Sequence, residues 1–202
     1  MLAGLIDAVV PEGPLLWYVN RGTGMTLLLL FTFSIVLGVW STAGRAGGKV
    51  PRFAIQLVHR DVALLATVML GVHIASAVVD SYVDIRWWQS VLPWDLHYQP
   101  WWLALGIVAT DLLLVVVGTS LLRHRLNLRM WRWVHLSTYA SWGIAVVHGL
   151  GIGTDTGAPW SNLLYAGSVG VVLTAVLARL AVRHHRNASA PVELDTRTTV
   201  LR

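Results

Sequence analysis

Four histidines could do chemistry in this chain: His59, His73, His135 and His148. They form two pairs, one at an i, i+14 interval and one at i, i+13. Each pair lies in a strongly apolar segment, with a further apolar segment between them. Histidine is costly inside a bilayer, so four of them in such segments call for a reason. A neutral imidazole offers a lone pair to a metal, and its second ring nitrogen can be fixed by an outer acceptor. Two helices with a histidine near either end can face each other and clamp two flat metallated rings. Two axial imidazoles fill both open positions of a porphyrin iron, which disfavours oxygen binding and suits electron transfer. The expectation is a ladder of two bis-histidine hemes, paired His59/His135 and His73/His148.

Depth supports that pairing. With one crossing between them, the two histidine segments run in the same direction. The first interval rises about 21 Å along a helix and the second about 19.5 Å, so the levels match. Azimuth is less regular. At about 100° per residue, the first interval returns to within about 40° of the starting face, whereas the second leaves His135 and His148 about 140° apart. The second histidine helix should therefore be overwound or kinked, with Gly143 the natural place, or else hold its two rings at different angles.

A single intramembrane histidine is more often a hydrogen-bonding contact between helices. Four at matched depths on parallel helices favour ligation. His97, His124, His184 and His185 fall in polar connections and read as solvated surface residues. Heme propionates want cations. Arg132 lies three residues before His135 on the same face and is the first choice at the inner end. Arg52, seven residues before His59, shares its face; Arg60 adjoins His59 but points about 100° away. Arg21 is the outer candidate. For each, the plain alternative is a snorkelling interfacial residue. Asp61 can pair with Arg60. Asp111, in the middle of its segment, is either a helix–helix hydrogen bond or a proton relay. Gly71, Gly106 and Gly118 can admit a helix or a flat ring at close range.

Composition sets the class. Of 202 residues, 55% are hydrophobic and 12% charged, with mean hydropathy +0.62; soluble domains carry about 25% charged residues. Cysteine is absent, which excludes disulfides, thiolate zinc, iron–sulfur clusters and covalent heme attachment. Any redox chemistry therefore belongs to a bound cofactor. Five segments are long and apolar enough to span: about 15–40, 52–79, 101–122, 131–152 and 160–182. The expected fold is an all-α integral membrane protein, a five-helix transmembrane bundle. Residues 1–14 lack a signal-peptide n-region and are expected to lie along the outer surface; residues 183–202 read as a disordered cytoplasmic tail.

Eleven of the fifteen basic residues fall in 41–52, 123–132 and the tail. That asymmetry places the N-terminus outside and the C-terminus in the cytoplasm of a multi-pass protein of the cytoplasmic membrane. The formal charge of +5 is thus a topology signal rather than a mark of nucleic-acid binding. Trp87, Trp88, Trp94, Trp101, Trp102 and Trp160 mark the outer boundary and Trp40, Trp131 and Trp133 the inner one, leaving Trp142 in mid-helix.

Two stretches, LVHRDVALLATVMLGVHIASAVVD and WRWVHLSTYASWGIAVVHGLGIGTDT, resemble the ferric-reductase-like transmembrane domain. The resemblance runs through H-R-D at His59 followed by His73, and through W-R-x-x-H-x-x-x-Y at His135 followed by His148. That superfamily includes ferric reductases, NADPH oxidases and the bacterial heme subunit of methionine-sulfoxide repair. The W-Y-x-x-R-x-T-G opening at Trp17 looks like that of short actinobacterial members. The resemblance covers about residues 15–182 and implies two hemes b and electron flow from the cytoplasmic side outward. Larger members have six helices and a soluble flavin and nicotinamide domain. Here five segments are expected, and a chain of 202 residues is expected to leave no room for that domain. GIGTDTG follows no strand and is no dinucleotide fingerprint. A separate reductase or a quinol is the expected donor, with an acceptor on the outer side. Flavin binding by the inner loops is left open. The rival readings are a proton or metal-ion transporter using the histidines and Asp111, and a heme-free membrane scaffold.

Overall fold

The structure is a computed structural model and describes residues 15–42 and 50–188. The described residues form an all-helical fold. The helices are α1 (Leu15–Thr42), α2 (Arg52–Val79), α3 (Pro100–Leu121), α4 (Leu128–Ile152) and α5 (Pro159–Ala188). Short 3-10 turns at Trp87–Ser90 and Arg123–Arg125 punctuate the two connections that flank α3. Local chemistry explains the boundaries. Pro100 opens α3, where its missing N–H costs nothing. The Asn127 side chain accepts the Arg129 N–H at 2.8 Å and caps α4.

The expected segments are recovered within a few residues, with one extension. α5 continues through 183–188, so the start of the expected disordered tail is helical. The remaining tail, residues 1–14 and the basic residues Arg45 and Lys49 lie outside the described residues.

Four helices (α1, α2, α3 and α5) are long and apolar enough to cross a membrane. α4 is long enough but falls short in apolarity. Its sequence carries Arg129, Arg132, His135, Ser137, Thr138, Ser141 and His148 among its apolar residues. The outward surfaces of the other helices are apolar. Leu64 and Val68 of α2, Val115 of α3 and Leu163 and Leu177 of α5 are all exposed, which fits contact with lipid.

α1 packs against α2, α5 and α4, and α3 packs against α4. α2 and α4, the two histidine helices, make at most marginal backbone approach to each other. Three apolar clusters fill the bundle. Ala66 and Leu70 of α2 meet Leu27 of α1 and Leu113 of α3; Ala66 lies midway in sequence between His59 and His73. Leu28, Val146 and Tyr165 join α1, α4 and α5. Ile35, Val39 and Val172 repeat the contact of α1 with α5 one level along, with Tyr139 and Trp142 of α4 packed against it.

Polar groups in these junctions are tied across helices. Ser141 donates to the Ala109 carbonyl at 2.8 Å. The Trp142 indole N–H donates to the Thr32 hydroxyl at 3.1 Å, which accounts for the one tryptophan in mid-helix. Thr32→Val keeps the volume and leaves that N–H without an acceptor. Interhelical hydrogen bonds in membrane proteins average about 0.6 kcal/mol and reach about 1.7. The variant should lose about 1 kcal/mol in reversible unfolding in mixed micelles, and an unchanged midpoint would remove the bond from the list of stabilising contacts.

Candidate heme-ligand centre

The four histidines project from α2 and α4 at two levels. At one level the ring centres of His59 and His135 are 6.2 Å apart with planes at 75°. Two imidazoles on opposite sides of one metal atom, each bonded at about 2 Å, have ring centres about 6 Å apart. At the other level His73 and His148 line one cavity of about 240 Å³. That cavity is walled mainly by apolar side chains of α1 to α4, Leu28, Phe31, Leu70 and Leu113 among them.

The outer surface of the ring cradle is built by α1 and α3 through a repeated device. His73 Nδ1 lies 3.0 Å from the Asn20 carbonyl, with Gly24 four residues on beneath the ring. His59 Nδ1 lies 2.9 Å from the Ser34 carbonyl, with Gly38 four residues on. His148 Nδ1 lies 2.7 Å from the Trp102 carbonyl, with Gly106 four residues on. A carbonyl oxygen can only accept, so in each ring Nδ1 carries the proton and donates. Nε2 of the neutral ring keeps its lone pair for a ligand. A carbonyl holding the far nitrogen of a ligating histidine is the usual outer support of a metal-bound imidazole.

Each imidazole comes close to its glycine, and only at Gly106 does the approach leave no room for a side chain. A Cβ on Gly106 would stand 2.6 Å from His148 Cε1, on Gly24 3.3 Å from His73 Cε1 and on Gly38 3.5 Å from His59 Cε1.

His135 departs from the device. Its Nδ1 faces the Ser120 hydroxyl, at 3.5 Å, in place of a carbonyl. Its ring is stacked on Trp131 of its own helix, 4.8 Å between centres at 21°. α4 is one continuous helix from Leu128 to Ile152, running through Gly143 without a break. The two rings of α4 are held by different partners: His135 by Ser120 and Trp131, His148 by the Trp102 carbonyl.

The arginines are redistributed. Arg21 lines the cavity shared by His73 and His148, but its guanidinium is paired with the Asp155 carboxylate and stacked 4.0 Å over Trp17. The Asp155 pair supplies the reason for its charge that the sequence lacked. Arg60 pairs with Asp61 at 3.1 Å on the exposed face, as its azimuth implied, so the charge of the pair is turned away from His59. Arg52 and Arg132 are both exposed. At the His135 end the cation in place is Arg123, whose guanidinium stands 4.7 Å over the Trp131 ring. His124, His184 and His185 are exposed, as surface residues would be, and the His97 side chain is largely so. Asp111 is half-buried on α3 and does not line the cavity.

No family model, curated protein or solved structure matches this chain. The residues must therefore carry the functional reading on their own.

Several contributors escape a reading of the sequence alone. Gly24 and Gly38 repeat the interval of His59 and His73, and Asn20 and Ser34 repeat it again. On antiparallel helices matching intervals mark matching levels, so this signal was present. Gln89 gave no such signal. It is buried, donates to the Asp95 carbonyl at 2.6 Å and accepts the Arg86 N–H at 2.8 Å. Those bonds fold the 80–99 connection over the cavity, which Ile85, Gln89 and Tyr98 help to line. Tyr165 of α5 also lines it, its hydroxyl pressed against Gly149.

Among the described residues no three His, Cys, Asp or Glu side chains converge as a metal site. Each level thus offers two protein ligands. A bare zinc ion wants about four donors. A metal that arrives with four planar donors of its own needs two, one per face. The residues fit a bis-imidazole heme better than a bare ion.

Proposed function

We propose that this protein is a di-heme b electron carrier of the cytoplasmic membrane, a ferric-reductase-like oxidoreductase component. His59 and His135 would hold one heme and His73 and His148 the other. The observation that carries the reading is the 6.2 Å separation of the His59 and His135 ring centres. Support comes from the three Nδ1–carbonyl bonds of His59, His73 and His148, which have the sense that a metal-bound imidazole requires.

Each heme, when bound, supplies a one-electron redox centre. The chain's own residues do the rest. Carbonyls of Asn20, Ser34 and Trp102 orient three imidazoles. The apolar plug of Ala66, Leu70 and Leu113 separates the two levels and excludes water between them. In this reading α4 is the fifth span. Its histidines face ring systems rather than lipid, which relieves the cost of its polar residues. The arginine asymmetry sets the N-terminus outside, His59 and His135 at the cytoplasmic end and His73 and His148 at the outer end. Electrons would enter from a cytoplasmic flavin reductase or a quinol and leave to an outer acceptor.

The test is spectroscopic. Protein purified from heme-replete cells should show a reducible low-spin spectrum with two hemes b per chain by pyridine hemochrome. Perpendicular axial imidazoles at His59/His135 should also give the high-anisotropy electron paramagnetic resonance signal typical of crossed ligand planes. Colourless protein with solute-dependent flux in vesicles would instead establish the transporter reading, and colourless protein without flux the scaffold.

A further inference from the structure

The Trp131 indole nitrogen is buried and has no hydrogen-bond partner among the described residues. An unpaired buried donor is costly, and native structures rarely leave one unexplained. Trp131 stands in the first turn of α4, four residues before His135 and stacked on its ring. The 3-10 turn at Arg123–Arg125 carries the Arg123 guanidinium back over the same indole. A buried N–H and a cation therefore meet at the indole that stacks on one imidazole of the His59/His135 pair. Among the described residues no acceptor faces the N–H, and no acidic side chain pairs with Arg123. Donor and cation together recognise a carboxylate.

We infer that Trp131 and Arg123 form the binding site for a carboxylate of the ring system held by His59 and His135. This rests on the heme reading above. Trp131 is also a positioning residue, since its stacking replaces the carbonyl that His135 lacks. A bare carboxylate near the iron opposes the arrival of an electron, and pairing it with a donor and a cation offsets that repulsion. The site therefore raises the affinity of that iron for an electron.

The experiment compares wild type, Trp131→Phe, Arg123→Gln and the exposed-loop control Arg125→Gln as purified full-length proteins. Phenylalanine keeps an aromatic ring for His135 and removes the N–H. Optical redox titration resolves the two hemes, and His59→Ala identifies which midpoint belongs to the His59/His135 level. In Trp131→Phe and Arg123→Gln that midpoint should fall, with the reduction equilibrium shifted up to tenfold, about 59 mV for one electron. Heme transfer from that level to apomyoglobin should quicken several-fold, while the other midpoint and the Arg125→Gln control stay put. In protein loaded with the dimethyl ester of the heme, the variants and wild type should coincide. Unchanged midpoints and transfer rates in both variants, or a shift that survives esterification, overturn the inference while the di-heme reading stands. A shift in only one of the two overturns the two-residue site. Wild type without heme overturns the reading beneath both.

Discussion

His59→Ala or His135→Ala should halve the heme content, leaving one low-spin heme b per chain. In the proposed arrangement each level supplies two protein ligands, so with either gone one imidazole would be too few to retain the heme of that level. His73→Ala and His148→Ala should remove the other half. Combining His59→Ala with His73→Ala should give colourless protein. The fold should survive, because the tie of each α2 imidazole to a carbonyl of α1 is one hydrogen bond, worth about 0.5–1.5 kcal/mol net. Circular dichroism and monodisperse elution of the variants separate ligand loss from misfolding. The pairing is tested as sharply as the count: the residual midpoint in His59→Ala should equal that in His135→Ala and differ from that in His73→Ala. Full heme content in any folded single variant would refute ligation by that residue.

Gly106→Ala should strip heme from the His73/His148 level with a single methyl group. That methyl would lie 2.6 Å from His148 Cε1 and 2.7 Å from Nδ1, far inside contact distance. The backbone there is helical and cannot yield cheaply, so the imidazole must move. Moving it breaks the 2.7 Å bond to the Trp102 carbonyl and swings Nε2 off line. Overpacking of this kind costs about 1–3 kcal/mol, against a gain of about 1 kcal/mol for replacing glycine by alanine in a helix. The glycines make a graded series. Gly24→Ala, at 3.3 Å, should weaken the same level mildly, and Gly38→Ala, at 3.5 Å, should be nearly silent at the other. Gly143→Ala meets nothing within 4 Å and should, if anything, stabilise α4. Heme stoichiometry and thermal unfolding of the four variants should follow that order. Equal heme content in Gly106→Ala and Gly143→Ala would show that the ring is not seated on α3.

Much of the fold was legible because the membrane imposes a simple rule. Segments of about 20 apolar residues bounded by tryptophan and arginine must be helices, since no other open structure satisfies its backbone in lipid. Hence the five helices emerge within a few residues of their expected ends. The extension of α5 through 183–188 was hidden because polar composition argues against burial, not against helix. α4 was the ambiguous segment for the opposite reason: its polar residues lower its apolarity without interrupting its helical backbone.

Of the candidate site, the histidines and the equal spacing of their levels needed only helix rise. The glycine partners could be found by the same arithmetic, since Gly24 and Gly38 repeat the interval of His59 and His73. The arginines could not. Arg132 shares a face with His135 along one helix, yet it is Arg123 that a turn between helices carries over the Trp131 ring beside His135, and Arg21 is taken up by Asp155 from the distant loop between α4 and α5.

Residue type and interval alone determined the helices, the two levels and the four imidazoles, because those follow from rise per residue and from the cost of polarity in hydrocarbon. Only the tertiary structure decided which nitrogen of three of the imidazoles is tied down, that α2 and α4 stand apart with their rings reaching between them, and which cations stay near the rings. Those depend on contacts between helices and on loop paths, which no single helix's periodicity encodes.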